Sequence, residues 1–501
     1  MPDKKIKMNK TSIMVKDLVV KTQDKTVLDG ISFSLQQNEH LAILGNAGSG
    51  KTLLAKALAG KIHYNGRISF DFNSEKKKIE LVEQRYSFKN LCGVSDFYYQ
   101  QRFNSFDSED APTVYEELLK ACTHDSKPTN KIDFSLAILG IEHLKNSPLI
   151  QLSSGEHKRF QLAKALVNPP QVLLLDTPYT GLDVKSVEGL NKTLSDISGK
   201  GTQIILIPGT FPITEFIKTV AFIENKKLAF FGNKEDFNAD EFSKSSNNFA
   251  YNTDLLPLSD EISQFETIVE MKNIHLNYGQ HTIFTGLNWK VNEGEKWLLK
   301  GRNGSGKSSL LSMITGDHPQ AYSNEIYLFG KRRGSGESIW DIKQKTGFIS
   351  PELHAYFDKN VSCFQAIGSG FFDTIGLFKK LSTQQYDTIL QWLDFLQVSH
   401  VSTKPLHSIS ASLQRMILLA RALVKNPPLL ILDEPCQGLD EKQSEQFVSL
   451  VDSICLGTNK TLIYVSHDER NVPSCVEKVF QLEKNRDKFY SVSEPASLAV
   501  A

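Results

Sequence analysis

Short runs of consecutive apolar residues alternate along the chain with segments whose apolar positions recur every three or four residues. Leu41–Leu44, Val172–Leu175 and Ile204–Ile207 are runs of the first kind, with the length and composition of strands buried on both faces. Helical patterns separate them, which predicts an α/β fold with a mixed or largely parallel sheet. The stretches near 105–150 and 355–405 read as mainly helical and predict a helical subdomain inserted in each of two α/β cores. No apolar run approaches the roughly 18–20 residues needed to span a bilayer. The basic start MPDKKIKMNK leads into no apolar stretch of signal-peptide length. The expectation is a cytoplasmic protein.

The pattern also repeats. GNAGSGKT at 45–52 returns as GRNGSGKS at 301–308, and QVLLLDTPYTGLD at 171–183 returns as LLILDEPCQGLD at 429–440. AKALVNPP at 163–170 matches ARALVKNPP at 420–428. Several elements recurring in one order at nearly constant spacing imply a duplicated domain. The first copy spans about 10–238 and the second about 266–490, joined by a polar, Asn/Ser-rich segment at 239–265 that reads as a linker. The chain has 501 residues, of which 40% are hydrophobic, enough for an ordinary core in each copy. Lys+Arg and Asp+Glu both total 57, which argues against a broad electrostatic grip on nucleic acid. Six scattered cysteines with no CxxC pair read as small buried side chains in a reducing compartment.

Each GxxxxGK[ST] element follows an apolar strand and precedes a helical run. Its glycines let backbone N–H groups converge on phosphate oxygens, and the helix presents its positive end to the same anion. The candidate ATP-binding residues are Gly45, Asn46, Ala47, Gly48, Ser49, Gly50, Lys51 and Thr52 in the first copy. In the second they are Gly301, Arg302, Asn303, Gly304, Ser305, Gly306, Lys307 and Ser308. Lys51 and Lys307 would neutralise phosphate charge, while Thr52 and Ser308 would ligate Mg²⁺. Asp176 and Asp433, each ending an apolar run, sit where a neighbouring strand would deliver a carboxylate to that metal.

At this point the residues resemble the ATP-binding cassette superfamily over nearly the whole chain. The resemblance rests on LSSGE at 152–156, on the GLD after each aspartate strand (Gly181–Asp183, Gly438–Asp440), and on VSHD at 465–468. It implies two ATP-hydrolysing cassettes that pair head to tail, with ATP and Mg²⁺ held between one phosphate loop and the other copy's signature. Ser153 and Gly155 would then reach the γ-phosphate with a hydroxyl and a bare backbone N–H.

The copies are not equivalent. Glu434 follows Asp433 and could polarise the attacking water as general base, whereas Thr177 holds that place in the first copy. His467 stands where a γ-phosphate contact is expected; the first copy has Pro208-Gly209-Thr210. Tyr278 is placed to stack on adenine, with Thr22 as its counterpart. The signatures show the opposite bias, because ISASL at 409–413 puts Ser412 in the place of Gly155 and Leu413 in that of Glu156. Lys307, Ser308, Asp433, Glu434 and His467 therefore face LSSGE in a nearly complete site. Lys51, Thr52, Asp176 and Thr177 face ISASL in a degraded one.

The family's glutamine, which joins the metal site to the helical subdomain, should follow the strand ending near Phe348-Ile349, but Ser350-Pro351-Glu352 stand there; the first copy offers Gln100 or Gln101. SPELH at 350–354, SGFFDTIG at 369–376 and LDEPCQGLD at 432–440 resemble the tandem-cassette proteins named for molybdenum (molybdate) transport, also called photorepair proteins. That resemblance implies a separate integral-membrane permease as partner. The alternatives are a soluble ATPase acting on ribosomes or DNA, or an ATP-gated regulator. Translation-factor cassettes carry a long charged helical linker that this chain lacks, and intact Glu434 and His467 argue against a dead enzyme.

Overall fold

The computed structural model describes residues 11–22, 25–46, 48–72, 79–83, 112–122, 128–149, 152, 154–179, 182, 184–209, 212–238, 251–258, 265–278, 281–302, 304–358, 360–484 and 490–493. These divide into two compact units, one ending before and one beginning after position 247/248. Among the described residues the first unit has nine strands: β1 (Thr11–Thr22), β2 (Lys25–Gln36), β3 (Leu41–Gly45), β4 (Asn65–Phe70), β5 (Ile79–Val82), β6 (Val172–Asp176), β7 (Gln203–Ile207), β8 (Thr219–Glu224) and β9 (Lys227–Asn233). They form an antiparallel sheet in the order β2-β1-β4 and a six-stranded sheet in the order β5-β6-β7-β3-β8-β9, parallel except for β9. The second unit repeats the plan with β10 (Thr267–Tyr278), β11 (His281–Asn292), β12 (Lys296–Gly301), β13 (Glu325–Leu328), β14 (Lys331–Arg332), β15 (Thr346–Ile349), β16 (Leu429–Asp433), β17 (Thr461–Val465), β18 (Lys478–Lys484) and β19 (Tyr490–Ser493). Its sheets run β11-β10-β13-β14 and β15-β16-β17-β12-β18-β19.

Every residue of β6, β7, β16 and β17 is buried, as the unbroken apolar runs require of parallel strands covered on both faces. In the second unit, Leu430, Leu432, Leu462 and Tyr464 enter one core with Trp392 and Leu418 of the helical layer. Their alternates Leu429, Ile431, Ile463 and Val465 enter the other, with Leu310 and the β10–β11 hairpin. Successive strand residues point to opposite faces, so one strand set anchors both layers. The first unit ties its two sheets through buried Gln203, whose amide donates to Gln36 O at 3.1 Å and accepts from Ser12 Oγ at 2.7 Å.

The helical subdomains lie at 112–149 and 350–408. In the second unit the SGFFDTIG segment docks the helix Ala411–Leu423. Arg421 donates from Nε to Ser369 Oγ at 3.1 Å and from Nη2 to the Thr374 carbonyl at 2.9 Å. Buried Lys425 pairs with Asp373, which has a left-handed φ of 51°. A β-carbon on Gly370 would run into the Arg421 carbonyl oxygen and lie 2.8 Å from Val424 Cγ1.

The segment expected to be a linker includes apolar side chains that find the second core. Tyr251 packs 5.9 Å from the Phe395 ring and accepts from Gln446 Nε2 at 3.3 Å, and Leu256 and Leu258 lie against the same cluster. The five described cysteines, Cys122, Cys363, Cys436, Cys455 and Cys475, are buried; Cys92 lies outside the described residues. Among the described residues no helix is long and apolar enough to cross a membrane. Gly370→Ala should destabilise the second unit by about 1–3 kcal/mol through overpacking, read as a lowered melting temperature; an unchanged melt would show that the helix can retreat.

Candidate active sites

Both phosphate loops leave the carboxyl end of a central strand, β3 or β12, and enter an eight-residue helix, Lys51–Leu58 or Lys307–Ile314. Gly50 and Gly306 cap these helices with φ of 100° and 90°, backbone that only glycine adopts without strain. A β-carbon would lie 2.6 Å from Leu28 Cδ2 in the first and 2.5 Å from Phe284 Cζ in the second. The lysines fold back over their loops. Lys51 Nζ donates to the carbonyls of Gly45 at 2.5 Å and Asn46 at 2.8 Å, and Lys307 Nζ to those of Gly301 at 2.7 Å and Arg302 at 3.2 Å. Ser49 Oγ and Ser305 Oγ, in matching places, are buried and make no hydrogen bond among the described residues. A buried donor without a partner is costly, and a phosphate oxygen would satisfy it, so both loops fit a nucleotide triphosphate. Gly48 and Gly304 share a φ of 75°. Ala47, Asn303 and Ser153 lie outside the described residues.

Asp176 ends β6 and Asp433 ends β16, both buried. Thr52 Oγ1 donates to Asp176 Oδ2 at 2.8 Å, so the expected metal pair of the first unit is assembled. Burial raises the Asp176 pKa against the opposing pull of Thr52, Lys158 and Lys51. A divalent cation there would remove that cost. Ser308 is the second residue of its helix, in the register of Thr52.

The ladder aligns the two units residue by residue. Asp176 pairs with Ile207, and Asp433 with Val465, so Thr177 matches Glu434 and Gly209 matches His467. Both post-aspartate residues are left-handed, with φ of 47° at Thr177 and 44° at Glu434. Their backbone N–H groups donate to Ile207 O at 2.9 Å and Val465 O at 3.0 Å. In the second unit the turn points a carboxylate at a histidine: Glu434 Oε1 lies 3.0 Å from His467 Nε2. The two atoms are in contact without an aligned hydrogen bond, since Nε2 has no hydrogen-bond partner among the described residues. Glu434 Oε2 accepts from Gln437 Nε2 at 2.9 Å. Burial alone would raise the Glu434 pKa; the imidazole of His467 and the charges of Lys307 and Arg415 outweigh it and hold the carboxyl below its ordinary value. In the first unit the counterpart of this contact is a methyl group facing bare backbone, because a β-carbon on Gly209 would lie 3.4 Å from Thr177 Cγ2.

The signature helices, Ser154–Leu166 and Ala411–Leu423, are both thirteen residues long and start at aligned positions. Gly155 and Ser412 are the second helical residue in each, and both are buried. Ser410 caps the second helix by accepting from Leu413 N at 3.4 Å. Tyr278 ends β10 opposite His281 as Thr22 ends β1 opposite Lys25.

The glutamine assignment needs correction. Val82 pairs with Leu175 and Ile349 with Leu432, so the residues after these strands are Glu83-Gln84 and Ser350-Pro351. Gln84, not Gln100 or Gln101, follows the strand in the first copy; all three lie outside the described residues. In the second copy Ser350 caps a short helix, Pro351–Tyr356, that carries Glu352. Its His354 Nε2 lies 2.6 Å from Gln414 Oε1 on the signature helix. The sequence reading missed this contact, and also Lys158, which donates to Glu83 O at 2.7 Å and lies 3.5 Å from Asp176 O.

Two phosphate loops, each with a strand-terminal aspartate and a signature helix in the same unit, define a tandem-cassette ATP hydrolase. The chain belongs to the ABC transporter family, whose profile matches residues 28–180 and again 284–437. It is 33% identical over 481 residues to the ABC transporter ATP-binding protein ModF of Escherichia coli (strain K12), covering 93% of this chain and 96% of that protein. An uncharacterized ABC transporter ATP-binding protein of Schizosaccharomyces pombe is 33% identical over 483 residues, covering 93% and 98%. Among solved structures, ribosome-bound archaeal Pelota and ABCE1 matches with a TM-score of 0.61 and 16% identity, over 96% of this chain and 78% of that one. That likeness is one of fold.

Burial pushes the Lys158 ammonium down to about 8, against the attraction of Asp176 and Glu83. Between that value and the ordinary 10.5 the unfolded chain keeps a proton that the folded chain has released, so this lysine's cost to stability shrinks as pH rises. The stability of Lys158→Met relative to the unchanged protein should therefore decline from pH 8 to pH 10. Paired thermal melts across that range check it, and a flat difference would show that the ammonium is not desolvated.

Proposed function

We propose that the chain hydrolyses ATP at the site of its second half, holds ATP without efficient turnover at the first, and drives a membrane transporter as its ATP-binding component. The Glu434–His467 contact carries this reading, because the same ladder positions in the first unit hold Thr177 and Gly209. Lys307 and the loop N–H groups would hold the phosphates of the working site, and Ser308 and Asp433 would hold Mg²⁺. When bound, that ion neutralises charge on the phosphate oxygens. Glu434, kept ionised by its neighbours, would orient the attacking water and take its proton. His467 would contact the γ-phosphate and steady the carboxylate. Lys51, Thr52 and Asp176 would bind the second nucleotide, with a hydroxyl too weakly basic to activate water at Thr177.

By family resemblance each loop would work against the other half's signature, so the second-half loop would use Ser153 and Gly155 while Ser412 would face the first. Similarity to ModF across nearly the whole chain supports a separate integral-membrane permease as partner and a peripheral position on the inner face of the plasma membrane. Molybdate is the substrate that the resemblance favours.

Glu434→Gln should lower steady-state hydrolysis by about 10²–10⁴-fold while leaving ATP binding intact. Thr177→Ala should change turnover little, and Gly155→Asp should harm it more than Ser412→Asp. Phosphate-release assays with equilibrium ATP binding decide this; a Thr177→Ala variant more damaged than Glu434→Gln would reverse the assignment. Affinity purification from solubilised membranes should bring down a multi-span permease, whereas recovery of ribosomal proteins instead would overturn the transport role.

A further inference from the structure

We infer that Gln437 is a positioning residue for Glu434, setting the direction of the carboxylate that activates water. The inference rests on the reading of the second-half site as hydrolytic and adds a residue that neither the phosphate loop, the metal pair nor the histidine supplies.

Gln437 is held at both ends of its own backbone unit. Its N–H donates to the Glu434 carbonyl at 3.1 Å, closing the turn after the aspartate strand. Its carbonyl accepts from Arg415 Nη2 at 3.3 Å, and Arg415 is a buried residue of the signature helix. With the backbone fixed from two sides, the side-chain amide reaches back and donates from Nε2 to Glu434 Oε2 at 2.9 Å. The other oxygen, Oε1, faces His467. Each carboxylate oxygen therefore has one neighbour of its own. An ionised carboxylate offers about four lone-pair sites, so two such contacts set the plane of the group and leave capacity for a water.

The two contacts differ in kind. The histidine contact lacks hydrogen-bond alignment, whereas the Gln437 amide donates an aligned hydrogen bond and carries no charge. Gln437 fixes orientation without adding a charge that would cost the base its proton affinity. The first half supports the pairing of roles: the positions matching Glu434 and Gln437 are Thr177 and Thr180. Where the carboxylate is absent, so is the amide.

Gln437→Met tests the idea, since it keeps the volume and removes the donor. Expected are a fall in kcat of about threefold to tenfold and an unchanged KM for ATP. Gln437→Asn, which keeps the amide but shortens its reach by one methylene, should give the same pattern. Thermal melts on both variants separate a folding defect from a kinetic one, and a purely structural role would lower the melting temperature without splitting kcat from KM. Glu434→Gln in the same assay separates the two readings. If it stays active, the hydrolytic site is misassigned and the inference falls with it. If it is inactive while Gln437→Met and Gln437→Asn both turn over with the original kcat, only the role of Gln437 is wrong.

Discussion

The pairing of the aspartate strand with its parallel neighbour is the constraint on which the chemistry of each half depends. In both units it brings a buried carboxylate, a left-handed turn and the end of the next strand to one level of the sheet. Strands covered on both faces cannot slip by one residue without turning apolar side chains away from the layer that covers them. The depth of the core thus fixes the register, and the register fixes which side chains meet above the phosphate loop. Core packing and catalytic geometry are one requirement here.

That coupling explains how two halves with the same scaffold differ in the side chains they present. The helices that follow the loops are equally long, the signature helices start at matching residues, and the loop lysines make matching contacts. Differences collect at strand ends and helix starts, outside the apolar clusters of the core. Glu434 against Thr177, His467 against Gly209 and Ser412 against Gly155 are all of this kind. Each can change without disturbing the sheet beneath it.

Much of this was legible in the sequence because the parallel strands are continuous apolar runs and the loop glycines have a fixed spacing. The strand boundaries Leu41, Val172 and Ile207 coincide with the apolar runs, since nothing polar competes for those positions. The glutamine was misplaced because β5 is only four residues long and lies next to a charged stretch, so no periodicity marks its end. Packing of Tyr251, Leu256 and Leu258 was hidden by the polar residues around them. The contacts of Gln437 and His354 were invisible for another reason: they depend on a turn and a capped helix start, which fold without leaving an apolar pattern.

Thr177 adopts a backbone angle that a β-branched residue tolerates badly, at a cost on the order of 1–3 kcal/mol, and it does so where no carboxylate needs aiming. The bend is therefore a property of the scaffold and not of its occupant. Like a socket machined before its tool is chosen, it directs whatever residue sits there toward the same point in space. Exchanging a few side chains above such a frame changes the groups a site presents and leaves the backbone that aims them as it was.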